Sequence, residues 1–252
     1  MFGNGQKNNH LVTVANPHTE KAQKEPVIRL RSLVKDYKTP AGSFRALKDI
    51  DLDVYPEEFL CIRGKSGAGK TTLINMISGV DHPSYGEVWV DGTPVHEQDE
   101  NQLALWRGRN VGVVYQSFHL MPTLSLLDNV MLPMDLTGRY RPRVSPERGL
   151  ELLREVELEQ HASKLPSAIS GGQQQRVAIA RALANDPALI LADEPTGRLD
   201  SVTAEVVFQI FLRLVERGKT ILMVTHDRSL AKRASRSVTL QDGEILPENG
   251  RV

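Results

Sequence analysis

The sequence predicts an α/β fold: a mixed β-sheet core with flanking helices, an N-terminal antiparallel β subdomain and an inserted α-helical subdomain. Three observations carry this. Short apolar runs alternate with helix-period segments through much of the chain, which favours a parallel sheet covered by helices. Residues 27–34 and 46–54 instead alternate apolar and polar side chains, as half-exposed antiparallel strands do. Residues 116–186 are dominated by helical patterns and interrupt the strand–helix alternation.

Residues 1–25 are polar and rich in Asn, Gln and Lys, and read as a disordered tail. The domain then runs over 26–252, with its core in 26–116 and 186–252 and the helical subdomain at about 117–185. Within it, Phe59-Leu60-Cys61-Ile62 is a strand buried on both faces, and 72–78 is a helix ended near Gly79. A strand at 87–90 closes on the turn Asp91-Gly92. Asp99 caps a helix to about Arg107, and 111–115 is a buried strand. Ser125 caps a helix through Met134, Pro142 and Pro146 bracket a loop, and 146–156 is a charged amphipathic helix. A further helix follows Gly172 to about Ala184. Strands at 188–192, 220–225 and 238–240 then alternate with helices at 201–217 and 228–233.

Composition narrows the function. Lys plus Arg and Asp plus Glu are both 31, so the formal net charge is zero, and bulk charge lends no support to a nucleic-acid binder. The one cysteine, Cys61, lies in an apolar strand; it allows no internal disulfide and fits a reducing compartment. The seven histidines show no zinc-ligand spacing. No stretch reaches the ~18–20 apolar residues of a membrane-spanning helix, and the N-terminus lacks the apolar core of a signal peptide. Any membrane role is therefore expected to come through a partner.

The strongest motif is Gly64-Lys65-Ser66-Gly67-Ala68-Gly69-Lys70-Thr71, a phosphate loop between a strand and a helix. The glycines let backbone N–H groups of Ser66, Gly67, Ala68 and Gly69 turn toward phosphate oxygens, and the helix that follows, through Thr72, brings its positive end to the same anion. Lys70 is placed to neutralise β- and γ-phosphates, and the Thr71 hydroxyl to ligate Mg²⁺. Lys65 receives no role. The run Leu189-Ile190-Leu191-Ala192-Asp193-Glu194 delivers two carboxylates to the C-terminal edge of a sheet, where ligands bind. Asp193 is expected to hold Mg²⁺ and Glu194 to polarise the attacking water.

Between these elements, Ile169-Ser170-Gly171-Gly172-Gln173-Gln174-Gln175-Arg176 resembles the signature of the ABC ATPases. The resemblance extends over about residues 27–245. It implies an ABC-type fold, ATP and Mg²⁺ as ligands, and ATP hydrolysis. It assigns Gln116 to the loop glutamine that touches Mg²⁺ or water, and His226 in Thr225-His226-Asp227 to a contact with the γ-phosphate. Asp200 becomes the aspartate of the loop Gly197-Arg198-Leu199-Asp200, where Arg198 replaces a small or amide residue, and Tyr37 stacks on adenine. The resemblance further implies that Ser170, Gly171, Gly172 and Gln173 face the γ-phosphate held by a second copy, so that two ATP molecules are sandwiched between two subunits.

The surroundings of Gln116 and residues 128–133 resemble the lipoprotein-release, macrolide-efflux and cell-division group of these ATPases. This implies a subunit that energises a separate membrane permease from the cytoplasmic side. The alternative is a regulatory ATPase signalling through a permease-like partner to an extracytoplasmic cell-wall enzyme. The absence of a long coiled coil argues against a nucleic-acid ABC ATPase.

Overall fold

A computed structural model describes residues 25–40 and 42–246. The tail expected over 1–25 therefore lies outside the described residues, except Glu25.

The first sheet is antiparallel, ordered β2-β1-β4-β5. It comprises β1 (Ile28–Thr39), β2 (Gly42–Val54), β4 (Tyr85–Val90) and the short β5 (Thr93–Pro94). The apolar alternation of β1 breaks at Ser32, whose φ of 44° marks a bulge, and burial resumes one residue out of step at Leu33. Asp51 accepts the freed Ser32 N–H at 2.9 Å.

The second sheet is ordered β10-β9-β3-β8-β7-β6, parallel except for the edge hairpin β9/β10. Its strands are β3 (Phe59–Arg63), β6 (Val111–Val114), β7 (Leu189–Asp193), β8 (Thr220–Thr225), β9 (Arg236–Gln241) and β10 (Glu244–Leu246). Two-residue periodicity divides its side chains between two cores. Leu60, Ile62, Leu189, Leu191, Leu222 and Val224 pack toward the antiparallel sheet and α1 (Lys70–Ser78). Phe59, Ile190, Ala192, Ile221 and Met223 pack on the opposite face, where Phe59 stacks on Phe208 at 5.5 Å. Central strands buried on both faces explain why their sequences read as continuous apolar runs.

Helix α2 (Glu100–Asn110) starts at Asp99 with a capping box closed by Gln102. The opposite core is covered by α3 (Leu126–Leu136), capped by Ser125, with α4 (Val144–Glu155), α5 (Gly171–Ala182) and α6 (Ser201–Glu216).

Two sequence expectations need correction, and one strand was missed. The loop placed between Pro142 and Pro146 is shorter, because α4 already begins at Val144. Pro146 sits in its first turn, where a backbone N–H has no intrahelical acceptor and its loss costs little. The helix expected over 228–233 is a single turn, α7 (Arg228–Ala231). Strand β10 was not read from the sequence; it forms because Asp242 (φ 50°) and Gly243 (φ 84°) make a tight reversal onto β9.

Candidate active site

Strands β3, β6, β7 and β8 run parallel, so their C-terminal ends share one edge, and the segments leaving them meet there. The segment after β3 is the glycine-rich loop. Gly69 has φ 102°, and a Cβ there would stand 2.7 Å from the Ala46 carbonyl oxygen, so only glycine fits. It is also the N-cap of α1 and supplies no side-chain cap. Among the described residues no side chain caps the first N–H groups of α1, the arrangement that receives an anion.

Buried Lys70 donates to the carbonyls of Gly64 at 2.9 Å and Lys65 at 3.0 Å, and pairs with Glu194 Oε1 at 3.1 Å. Thr71 Oγ1 donates to Asp193 Oδ2 at 2.8 Å. The other oxygen, Asp193 Oδ1, is buried without a hydrogen-bond partner among the described residues. Burial, assisted by the Glu194 charge, raises the Asp193 pKa against the opposing pull of the Thr71 bond and Lys70. An orphaned carboxylate oxygen beside a hydroxyl suits a hard divalent cation, so these residues fit Mg²⁺.

Glu194 follows β7 in a left-handed conformation, φ 49°. Such a conformation costs of order 1–3 kcal/mol in a non-glycine residue. It is held by the Glu194 N–H on the Val224 carbonyl at 3.0 Å, and the carboxylate is placed between Lys70 and His226 Nδ1, the latter at 2.5 Å. Gln116, just beyond β6, lines the same cleft; a Cβ on Gly197 would come within 2.7 Å of its Nε2.

The cleft has a volume of about 770 Å³, within the usual range for small-molecule sites. It brings together the expected Tyr37, Ser66, Gly67, Gly69, Lys70, Thr71, Thr72, Gln116, Asp193, Glu194 and His226. Ala68 is a buried member of the loop, and Gly64 accepts from the Lys70 ammonium through its carbonyl. Three lining residues were missed, Lys65, Phe44 and Ala46. Lys65, given no role, contributes its carbonyl to Lys70, and Phe44 is brought in by strand pairing, for which the sequence carries no signal.

Besides Gly64 and Ala68, five expected residues do not line this cleft. Ser170 caps α5: its Oγ accepts from the Gln173 N–H at 3.3 Å, and Gln173 Oε1 accepts from the Ser170 N–H at 2.9 Å. Gly171 and Gly172 are the first two residues of that helix. Asp200 caps α6 through the N–H groups of Val202 and Thr203 at 3.1 and 3.0 Å. Its hydrogen bonds, above all from the Thr203 hydroxyl, hold its pKa below the usual carboxylate range. Arg198 is exposed and has no hydrogen-bond or ion-pair partner among the described residues.

Residues 47–197 match the family model described as ABC transporter. The chain belongs to that family. It is 45% identical over 228 residues to the uncharacterized ABC transporter ATP-binding protein MJ0796 of Methanocaldococcus jannaschii, covering 88% of this chain and 96% of that protein. It is 44% identical to the lipoprotein-releasing system ATP-binding protein LolD of Aquifex aeolicus, covering 83% and 93%. Against the macrolide export ATP-binding/permease protein MacB of Syntrophobacter fumaroxidans it is 45% identical over 90% of this chain but only 32% of that protein. Among solved structures, a dimeric post-hydrolysis state of the MJ0796 cassette bound to ADP and Pi superimposes with a TM-score of 0.81 at 42% identity, covering 87% of this chain and 97% of that one. The fold is that of an ABC cassette, and the chain is an ABC-type ATPase that binds and hydrolyses ATP.

Proposed function

We propose that this ABC ATPase works as a nucleotide-closed pair of identical subunits that energises a separate membrane permease. One observation carries the reading. Lys70, Thr71, Gln116, Asp193, Glu194 and His226 converge on one cleft, while a second helix N-terminus, at Ser170–Gln173, opens elsewhere on the surface. Two anion-seeking ends on one chain are both satisfied when two copies pack head to tail, each covering the other's triphosphate. The dimeric MJ0796 cassettes support this arrangement.

In the loaded site, Lys70 exchanges the Gly64 and Lys65 carbonyls for phosphate oxygens, and the uncapped N–H groups of α1 hold the same anion. Thr71, Asp193 and Gln116 would hold Mg²⁺, which when bound would offset phosphate charge. Glu194 orients water and accepts its proton, and His226 fixes the Glu194 carboxylate from the solvent side. Ser170, Gly171, Gly172 and Gln173 of the second copy face the γ-phosphate, and Asp200 stiffens the loop that carries Arg198 to the contact.

Membrane coupling draws support from an apolar groove of about 550 Å³ between α2, β6, α3 and the end of α5. Leu136 and Leu105 on its wall are 72% and 47% exposed. Val111, Gly112, Val113 and Tyr115 line it and lead directly to Gln116, so a permease segment seated there acts on the cleft. Helices α3, α4 and α5 form the helical subdomain on this reading, and the protein sits at the cytoplasmic face of the membrane through its partner. The relatives' names favour release or export over a regulatory role.

The test is sizing by light scattering of the Glu194→Gln protein. With ATP and Mg²⁺ it should dimerise, and hydrolysis should fall by ~10²–10⁴. Ser170→Arg in that background should abolish the dimer while preserving ATP binding. A dimer indifferent to nucleotide, or one that survives Ser170→Arg, overturns the composite site.

A further inference from the structure

Beyond Val114 the chain leaves β6, an edge strand of the parallel sheet, and residues 115–125 belong to no helix or strand. Their backbone polar groups must find partners outside any ladder. The far end of this stretch is held by buried Asn129 of α3. Its Oδ1 accepts the Met121 N–H at 2.7 Å, and its Nδ2 donates to the carbonyls of Met121, Leu124 and Ser125 at 3.1, 3.1 and 2.9 Å. The near end, which carries Gln116, is held from α5. Fully buried Gln175 donates through Nε2 to the Tyr115 carbonyl at 3.4 Å. Arg181 donates to two successive carbonyls, Phe118 through Nη2 at 2.8 Å and His119 through Nη1 at 2.5 Å. His119 takes φ 48°, an uncommon conformation for a residue with a side chain, and its ring meets Tyr115 edge-on with centroids 5.3 Å apart. Gln116 therefore lies between carbonyls that answer to one helix.

Arg181 is half-buried, and no carboxylate pairs with it among the described residues. Burial lowers its pKa, opposed only by the nearby Tyr115. A desolvated cation without a counter-charge is a poor source of fold stability. Its planar fork suits two neighbouring carbonyls, which a lysine ammonium does not match.

We infer that Arg181 is a positioning residue for hydrolysis: by clamping the Phe118 and His119 carbonyls it fixes the loop that sets Gln116 in the cleft. Gln175 supports the same loop on the other side of Gln116. Neither side chain lines the phosphate-loop cleft, so Arg181 acts through Gln116 and not on the nucleotide. The inference rests on Gln116 working at the Mg²⁺ site, as proposed above.

The test measures kcat and KM for ATP with Mg²⁺ in the full chain, for wild type, Arg181→Met, Arg181→Lys, Gln116→Ala and the double variant Arg181→Met with Gln116→Ala. Arg181 also lines the apolar groove, so the chain is assayed without a membrane partner, where docking contributes nothing. Met keeps most of the bulk of the stem and removes both donors; Lys keeps the charge and loses the fork. Misplacing a catalytic group by about 1 Å costs up to ~10²-fold in rate. Arg181→Met should lower kcat by about tenfold or more, with KM for ATP unchanged, and Arg181→Lys should recover part of the loss. In the Gln116→Ala background Arg181→Met should cause no further loss, because the group it positions is already gone. A wild-type kcat in Arg181→Met overturns the inference. So does a double variant slower than Gln116→Ala by the full factor, which would place the effect on the fold at large. Should Arg181→Met prove too unstable to assay, Arg181→Lys decides alone: a wild-type kcat there overturns the inference, and a loss that vanishes in the Gln116→Ala background supports it. A Gln116→Ala protein with wild-type kcat removes the proposed role of Gln116 itself and takes this inference with it.

Discussion

Gly172→Ala tests how the start of α5 packs against the first turn of α6. A Cβ at Gly172 would lie 2.1 Å from Thr203 Cγ2 and 3.4 Å from Thr203 Cβ. Ordinary carbon contacts begin near 3.5 Å, so the first overlap cannot stand. Thr203 cannot rotate away freely, because its Oγ1 donates to Asp200 Oδ2 at 2.6 Å and that same carboxylate caps α6. Either the helix ends separate or the cap is lost. Overpacking of this kind costs about 1–3 kcal/mol, and a lost N-cap about 0.5–2 kcal/mol, so the two routes predict a similar loss. In a chain of this length each kcal/mol shifts the midpoint by ~2–4 °C. The assay is thermal unfolding of Gly172→Ala, Thr203→Ser and the double variant. Thr203→Ser removes Cγ2 and keeps the hydroxyl bond, so the double variant should regain most of the loss, a coupling of about 1–2 kcal/mol between contacting residues. A Gly172→Ala protein as stable as wild type, or a double variant no better than Gly172→Ala, refutes the contact argument.

Two further outcomes follow from buried titratable groups. Burial raises the Asp193 pKa in the folded chain above its unfolded value, so its ionised form opposes folding at neutral pH, and this opposition fades as pH falls through the raised value. Asp193→Asn should therefore be more stable than wild type at neutral pH without nucleotide, the gap closing on acidification, while Mg²⁺-dependent hydrolysis is lost; a gap that widens on acidification contradicts the assigned cause. The Cys61 thiol is pushed up to about 12 by burial in β3. At pH 8 it should resist iodoacetamide in the folded protein and react once unfolded in urea; mass spectrometry showing rapid labelling of the native chain would contradict its burial.

The amino-acid sequence alone determined the loop at 64–71, the carboxylates Asp193 and Glu194, and the strands that carry them. These features are local: glycine spacing, an apolar run ending in acids, and a capping residue before a helix each depend on neighbours within a few positions. Most helix starts were legible for the same reason, since Asp99, Ser125, Ser170 and Asp200 cap through their own side chains. The start of α4 was not, because its first residue, Val144, carries no cap signal and Pro146 reads as a breaker unless its place in the first turn is known. Tertiary structure decided what depends on pairing across long separations. Phe44 enters the cleft through the register that sets it opposite Tyr37, and Glu194 meets Lys70 because β7 and β3 flank β8 in one parallel sheet. The orphaned oxygen of Asp193 and the contact between Gly172 and Thr203 arise only when those elements close on one another. Local patterns are written residue by residue, whereas contacts between distant segments are set by how whole faces pack, and a single chain read in order does not contain that geometry.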